Sequence, residues 1–185
     1  MIKMSMQSNI REVTARIGEV GRNIEDKATM RAINRAVDAV ATEANREIRK
    51  VYNIKARDVR AAISKHKAKK TQAVLTGEVV FKGRRMNLAD FGGRWSRKQA
   101  GASVQVLVDG PRKIIPGTFI GTNSHSGFRG IFRRVGKARY PIVNLRSISI
   151  PQTVRNKRVD AAIRRVASDT FRKNFAQQLQ YLGKL

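Results

Sequence analysis

Two short stretches carry residue types that can act on a phosphate or a carbonyl. In "GIFRRVGKARYPI", residues 130–142, Gly130 and then Gly136-Lys137 approach a phosphate-binding loop. That loop needs G-x-x-x-x-G-K-[ST]: the spacing wraps backbone N–H groups round the phosphates, the lysine reaches them, and the last hydroxyl holds Mg²⁺. Here five residues separate the glycines, Ala138 stands where the hydroxyl belongs, and Gly130 to Val135 reads as strand. In the second stretch Ser124-His125-Ser126 sets a hydroxyl beside an imidazole. Adjacency in sequence does not aim a base at a nucleophile through a third group. The 13 acidic residues are scattered with no pair at acid–base or metal-binding spacing on one element, and two His with no Cys leave no zinc set. The expectation is a chain without catalytic residues, metal or cofactor, whose work is binding and assembly.

The charge says what kind of binding. Over 185 residues the formal net charge is +26, while 41% hydrophobic content supports a real core, in one domain with an appended arm. Such a chain works next to something acidic: nucleic acid, an anionic membrane surface or acidic proteins. There is no run of about 18 apolar residues and no signal-peptide core, so neither a membrane span nor secretion is expected. Residues 1–26 are balanced, with Lys3, Arg11, Arg16 and Arg22 against Glu12, Glu19, Glu25 and Asp26, so the whole excess falls on residues 27–185. From Gly110 to Val159 there are 11 Lys or Arg and no acidic residue. A run of one sign that long cannot pair internally, and it reads either as a solvated face or as a contact surface for a negative partner.

The elements that must position these groups follow from periodicity. Met6, Ile10, Val13, Ile17, Val20 and Ile24 recur at spacings of four and three, which predicts a helix with one narrow apolar seam for a partner helix. Ile10, Val13, Ile17 and Val20 are therefore candidate oligomer contacts. Asp26 is read as the cap of a second helix to Val51, with an Ala- and Val-rich face. A short helix over about Lys55 to Ser64 leads into a basic connector, Lys65 to Lys70. Ala73 to Phe81 and Ser103 to Val108 have the content of strands, and so do Gly117 to Gly121 and "RGIFRRV" as its hairpin partner, where Ile131 and Val135 alternate with Phe132 and Arg134. A final helix is expected from Gln152 to Leu182. The class is α+β: N-terminal helices, a small antiparallel sheet with a long loop, and a C-terminal helix packed on the sheet, divided as a helical arm (1–26) and one domain (27–185).

The long loop, Lys82 to Gly101, holds Gly83, Gly92, Gly93 and Gly101 with basic groups and a single Asp, and is expected to be mobile until a partner orders it. Candidate contacts to protein or DNA are Arg84, Arg85, Phe91, Arg94, Trp95, Arg97 and Lys98 in this loop, and Arg133, Arg134, Lys137 and Arg139 further on. Phe91 and Trp95 offer rings for stacking on bases or for anchoring a protein neighbour.

Beyond periodicity, "RAINRAVDAVATEANREI", the Gly- and Arg-rich loop, "IPGTFI", "RGIFRRVGKARYPI" and "SISIPQTV" together resemble the minor tail protein Z family, the tail completion proteins of lambda-like long-tailed phages and prophages. The resemblance covers about residues 28–182. Its most specific part is Ile115-Pro116-Gly117-x-Phe119-Ile120 with Val135-Gly136-Lys137-x-Arg139-Tyr140-Pro141-Ile142. It implies a virion structural protein and no enzyme: one that completes the head-proximal end of a long non-contractile tail, takes part in head–tail joining and sits where the DNA end enters. It also implies a homo-oligomeric ring, suspected to be hexameric, with tail terminator, tail tube or head–tail connector proteins as partners. Phage DNA would lie nearby, no membrane would be involved, and assembly would take place in the host cytoplasm. On this reading "VGKARYPI" is a strand–turn–strand element. The other reading the charge supports is a free basic nucleic-acid-binding protein, with affinity that falls steeply with salt.

Overall fold

The computed structural model describes residues 2–7, 22–71, 74–97 and 100–182. The expected class is what is found: a long helix near the amino terminus, antiparallel strands, and a long helix at the carboxyl end. Helix α1 (Arg22–Val51) presents Ala28, Ala32, Ile33, Ala36, Val37, Val40, Ala44 and Ile48, all buried, along one broad stripe. Four alanines in that stripe let a neighbour approach closely. The neighbour is α4 (Lys157–Leu182), which runs antiparallel to α1: Arg31 near the start of α1 donates to Gln178 Oε1 near the end of α4 at 2.9 Å. The other side of α1 lies on strands β2 (Ile63–Thr71) and β3 (Val74–Phe81). Asn34 accepts from the Ala68 N–H at 2.7 Å, and Lys65 pairs with Asp38 at 2.6 Å. α4 therefore packs chiefly along α1, and α1 is the layer laid on the strands.

Several boundaries depart from the sequence reading. Where one sheet was expected there are three, each of three antiparallel strands. The first has the order β1–β3–β2, with β1 (Ile2–Gln7) in register from Ile2↔Phe81 to Gln7↔Thr76. Met6, expected to open a helix, is thus a strand residue opposite Gly77. Ile10, Val13, Ile17 and Val20 of that expected helix fall outside the described residues, and Ile24 lies in the first turn of α1. Helix α1 already begins at Arg22, so Asp26 is inside it and is not its cap. The supposed connector Lys65–Lys70 belongs to β2, an edge strand whose exposed lysines shield its open side. Its alternation is broken by a bulge between His66 and Lys69, which hid the strand from a period-two reading. The short helix, α2, is confined to Ala56–Ala61.

The second sheet is β4 (Arg94–Ser96), β5 (Gly101–Val104) and β6 (Lys113–Pro116); the third is β7 (Thr118–Thr122), β8 (Arg129–Arg134) and β9 (Ile142–Asn144). The expected strand to Val108 stops at Val104, and the chain then meets the residues just after α1 through a bridge between Leu107 and Tyr52. The expected last helix is two: α3 (Ile150–Val154), closed by a Ser149–Gln152 capping box with Pro151 in the first turn, and α4 after a break at Arg155 and Asn156.

Two cores result. The larger joins α1, α2, α3, α4 and the first sheet through Ile33, Ile48, Val59, Leu75, Phe81, Val154 and Ile163. The smaller lies between the second and third sheets and is built on Ala102, Val104 and Ile131 with Ile115, Ile120 and Leu145 around them. Thr118 ties the two sheets, accepting from the Ala102 N–H at 3.0 Å and donating to the Ile115 carbonyl at 2.6 Å.

Candidate interface surface

The basic loop has more shape than its composition suggests. After β3 the chain passes Gly83, where a Cβ would come within 3.9 Å of Pro151 Cδ, so Arg84 and Arg85 stand exposed beside α3. Met86 then exchanges backbone bonds with the segment before α3, accepting from Ser147 at 2.8 Å and donating to Ile148 at 3.0 Å. Asn87 caps a single 3-10 turn (Leu88–Asp90) through its side chain, which accepts from the Ala89 N–H at 3.2 Å. Phe91 follows with no exposed surface, inside the larger core. It is therefore removed from the contact candidates: a phenyl ring gains more from the core beneath the loop than from water above it. Phe91 and these backbone bonds fix the course of the loop from Met86 to Phe91.

Beyond Phe91, Gly92 has φ +65° and Gly93 is buried, with a Cβ there only 3.0 Å from Ala89 Cα. Arg112 crosses from the turn after β5 and donates to the Gly92 carbonyl at 2.8 Å and to the Ser103 carbonyl and hydroxyl at 3.3 Å each. Arg129 at the start of β8 donates to the Gly93 carbonyl at 3.2 Å. Two arginines with no charge partner among these bonds thus serve the backbone. Nothing in the sequence distinguishes them from their solvated neighbours.

Arg94 and Trp95 are exposed on the edge strand β4, Trp95 by 50%, and Arg97 is exposed just after it. Trp95 pairs with Ala102, on the side of the sheet that also carries Ile115, and so stands at the open rim of the smaller core. Lys98 lies outside the described residues. The second set, Arg133, Arg134, Lys137 and Arg139, is exposed at the far end of β8 and in the turn to β9. Arg129 and Arg134 are five residues apart on one strand, about 17 Å at the usual rise. The structure therefore puts the candidates in three places and not one: Arg84 and Arg85 by α3, Arg94 to Arg97 on β4, and Arg133 to Arg139 at the β8–β9 turn.

The turn set has aromatic company that the sequence reading left out. The Arg134 guanidinium carbon is 4.8 Å from the centroid of Phe119, and that of Arg139 is 5.7 Å from Tyr140. Phe119 and Phe132 face each other across β7 and β8 at 5.9 Å, and Phe128 meets Phe132 edge-on at 6.4 Å. The available signal was the alternation itself. With Ile131 turned inward, Phe132 and Arg134 must share the outer face.

Acidic groups are scarce near these surfaces. Asp90 is pushed above the usual aspartate range, mainly by burial and further by the nearby Asp58 carboxylate, against which Lys55 and Arg57 pull it down. Among the described residues no three of His, Cys, Asp and Glu gather as a metal set, and no helix is long and apolar enough to cross a membrane.

Compared with known proteins, the chain matches the family model for prophage minor tail protein Z over residues 10–184. No curated protein and no solved structure matches it.

Proposed function

The chain belongs to the prophage minor tail protein Z family, and from that premise we propose that this virion protein completes the head-proximal end of a long non-contractile tail. It acts there as a structural part and not as an enzyme. The observation that carries the reading is that the candidate basic contacts are divided among three places, beside α3, on β4 and at the β8–β9 turn. A part wedged between a tail, a head and the end of a DNA molecule needs several contact surfaces, whereas a protein that only grips DNA gains most from one continuous stripe. Copies of the chain close into a ring, suspected to be sixfold, by head-to-tail contacts. The arm residues Ile10, Val13, Ile17 and Val20 supply an apolar seam for the neighbouring copy. Tail terminator, tail tube or connector proteins are the further neighbours, and assembly takes place in the host cytoplasm.

The test is removal of the gene from an inducible prophage. Tails of normal length that fail to join heads or to retain the DNA end, with joining restored by the chain supplied in trans, are the expected result. Headless tails of altered length, or loss of the tail tip, would move the protein elsewhere in the tail. The acid-free stretch from Gly110 to Val159 favours a second reading, a free nucleic-acid binder. That reading requires tight duplex binding by the isolated chain, with a log–log salt slope near −0.9 per neutralised phosphate.

A further inference from the structure

We propose that the outer face of the third sheet, floored by Phe119, Phe128 and Phe132, is the docking surface for an acidic partner protein. The inference rests on the chain being a tail component and not on its position in the tail.

Strand alternation makes the face. Ile120 and Ile131 pair and point into the smaller core, so Phe119 and Phe132, the next pair, point the other way, with Arg134 and Ile142 paired beyond them. Gly121 and Gly130 also pair on this outer side. A Cβ on Gly130 would stand 2.9 Å from Phe132 Cε2 and Cζ and 3.0 Å from Phe128 Cε1, and one on Gly121 would stand 3.2 Å from Phe132 Cδ2. The rings therefore lie down on two bare glycines and make a low aromatic floor, a use of glycine that a strand otherwise disfavours. Among the described residues, the main neighbours of this sheet, β4, β5 and the 3-10 turn, are on its inner side, and no α-helix is among them. Phe128 is 44% exposed, and Tyr140 at the end of the floor 65%. A contiguous aromatic patch left open on a surface marks a contact site.

Charge complementarity chooses the occupant. The rim carries Arg133, Arg134, Lys137 and Arg139, and the sequence offers no carboxylate from Gly110 to Val159. A second copy, whichever face it brought, carries 39 basic against 13 acidic residues and a net charge of +26 of its own. Arg134 held over Phe119 is pre-set to take a carboxylate with its free N–H edge, since a guanidinium stacks with its plane and donates from its rim. Duplex DNA would meet the arginines but has nothing apolar to lay on the floor. Single-stranded bases stack on free rings, but these three are packed on one another and on glycine, and Ile142 has no part in such stacking. An apolar projection ringed by Asp and Glu satisfies both the floor and the rim.

The experiment places a benzophenone amino acid at position 128 in the chain expressed with its tail-gene cluster, and maps photo-adducts in purified particles by mass spectrometry. The expected adducts lie in Asp- and Glu-rich peptides of another virion protein. Adducts to this same chain, adducts to DNA, or no adduct would each overturn the proposal. In parallel, the Arg134→Glu and Phe128→Ser variants, both on the exposed side, should keep a cooperative melting transition and enter particles about tenfold less, the loss of one interface hot spot. Their affinity for duplex and single-stranded 20-mers should be unchanged. An equal loss of oligonucleotide affinity, or normal incorporation, would overturn it. An adduct of the expected kind, together with normal head joining when the gene is deleted, would uphold this surface while refuting the head-proximal role.

Discussion

Gly77 of β3 lies directly beneath Ile33 of α1: a Cβ on the glycine would run into the Ile33 Cγ2 methyl and stand 3.0 Å from Val37 Cγ2. The long helix can settle on the sheet because one strand residue has no side chain there. This contact joins the helix layer to the strands at the centre of the larger core.

Gly77→Ala should therefore lower stability by about 1–3 kcal/mol, the range for one methyl forced into a packed core. Gly136→Ala, where nothing lies within 4 Å, should stay within about 0.5 kcal/mol. Urea midpoints of the two variants decide the matter, and equal values would refute the close approach.

Glu47, on α1, is 5% exposed and is held below the usual glutamate range, first by its hydrogen bond from Lys50, against the penalty of burial, and then by the charges of Lys50, Arg46 and Arg158. A carboxyl with a depressed folded pKa adds stability that is present above its ordinary value of 4.5 and is lost as pH falls through the folded value. Glu47→Gln should cost about 1 kcal/mol at pH 7, the net worth of such a bond. The gap should close in the acid limb below pH 4.5. A gap that persists to pH 2 would assign the cost to packing instead.

Asp90 has the opposite sign. Its folded value is raised above 3.8 by burial, so the ionised form is penalised in the folded state. That penalty is absent below 3.8 and is complete once pH has risen through the folded value. Asp90→Asn should match the wild type at pH 3 and exceed it in stability at pH 7, read from thermal midpoints. A variant less stable at pH 7 would show that the carboxylate makes an interaction worth more than its burial costs.

Trp95 stands half-exposed at the rim of the smaller core, beside Arg94 and ahead of Arg97. Trp95→Ala should reduce incorporation into tails more than Arg97→Ala and Lys98→Ala combined, because a buried aromatic dominates an interface while rim charges add little. The proportion of each variant in purified tails gives the answer. If the charge changes do more harm, and in step with lost DNA affinity, phosphate is what this surface meets.

Much of this was legible in the sequence, for reasons that also explain the gaps. Helix α1 shows a regular apolar stripe, β3 the β-branched content of a strand and β8 an alternation of inward and outward residues, and each lies within a few residues of its expected bounds. β2 was not legible, because its lysines and its bulge erase the period. The break at Arg155 and Asn156 was overlooked although Ser149-Ile150-Pro151-Gln152 spells a capping box three residues ahead of the expected start. Phe91 was misplaced because a lone aromatic among glycines and arginines looks exposed, and only the larger core beneath that loop shows otherwise. Among the candidate contacts, the basic residues were read from composition, but composition does not tell which of them converge. The division into three places comes from sheet pairings distant in sequence.

The pairing of Ile2 with Phe81 sets an order of events during synthesis. β2 and β3 turn back on each other at once, at Thr71 and Val74, but β1 is translated long before either. At about 5–20 residues per second the first strand waits roughly 4–16 s for its partner to be made. β1 thus stays without its strand partner until β3 has been made, and is fixed on the free edge of a hairpin translated after it.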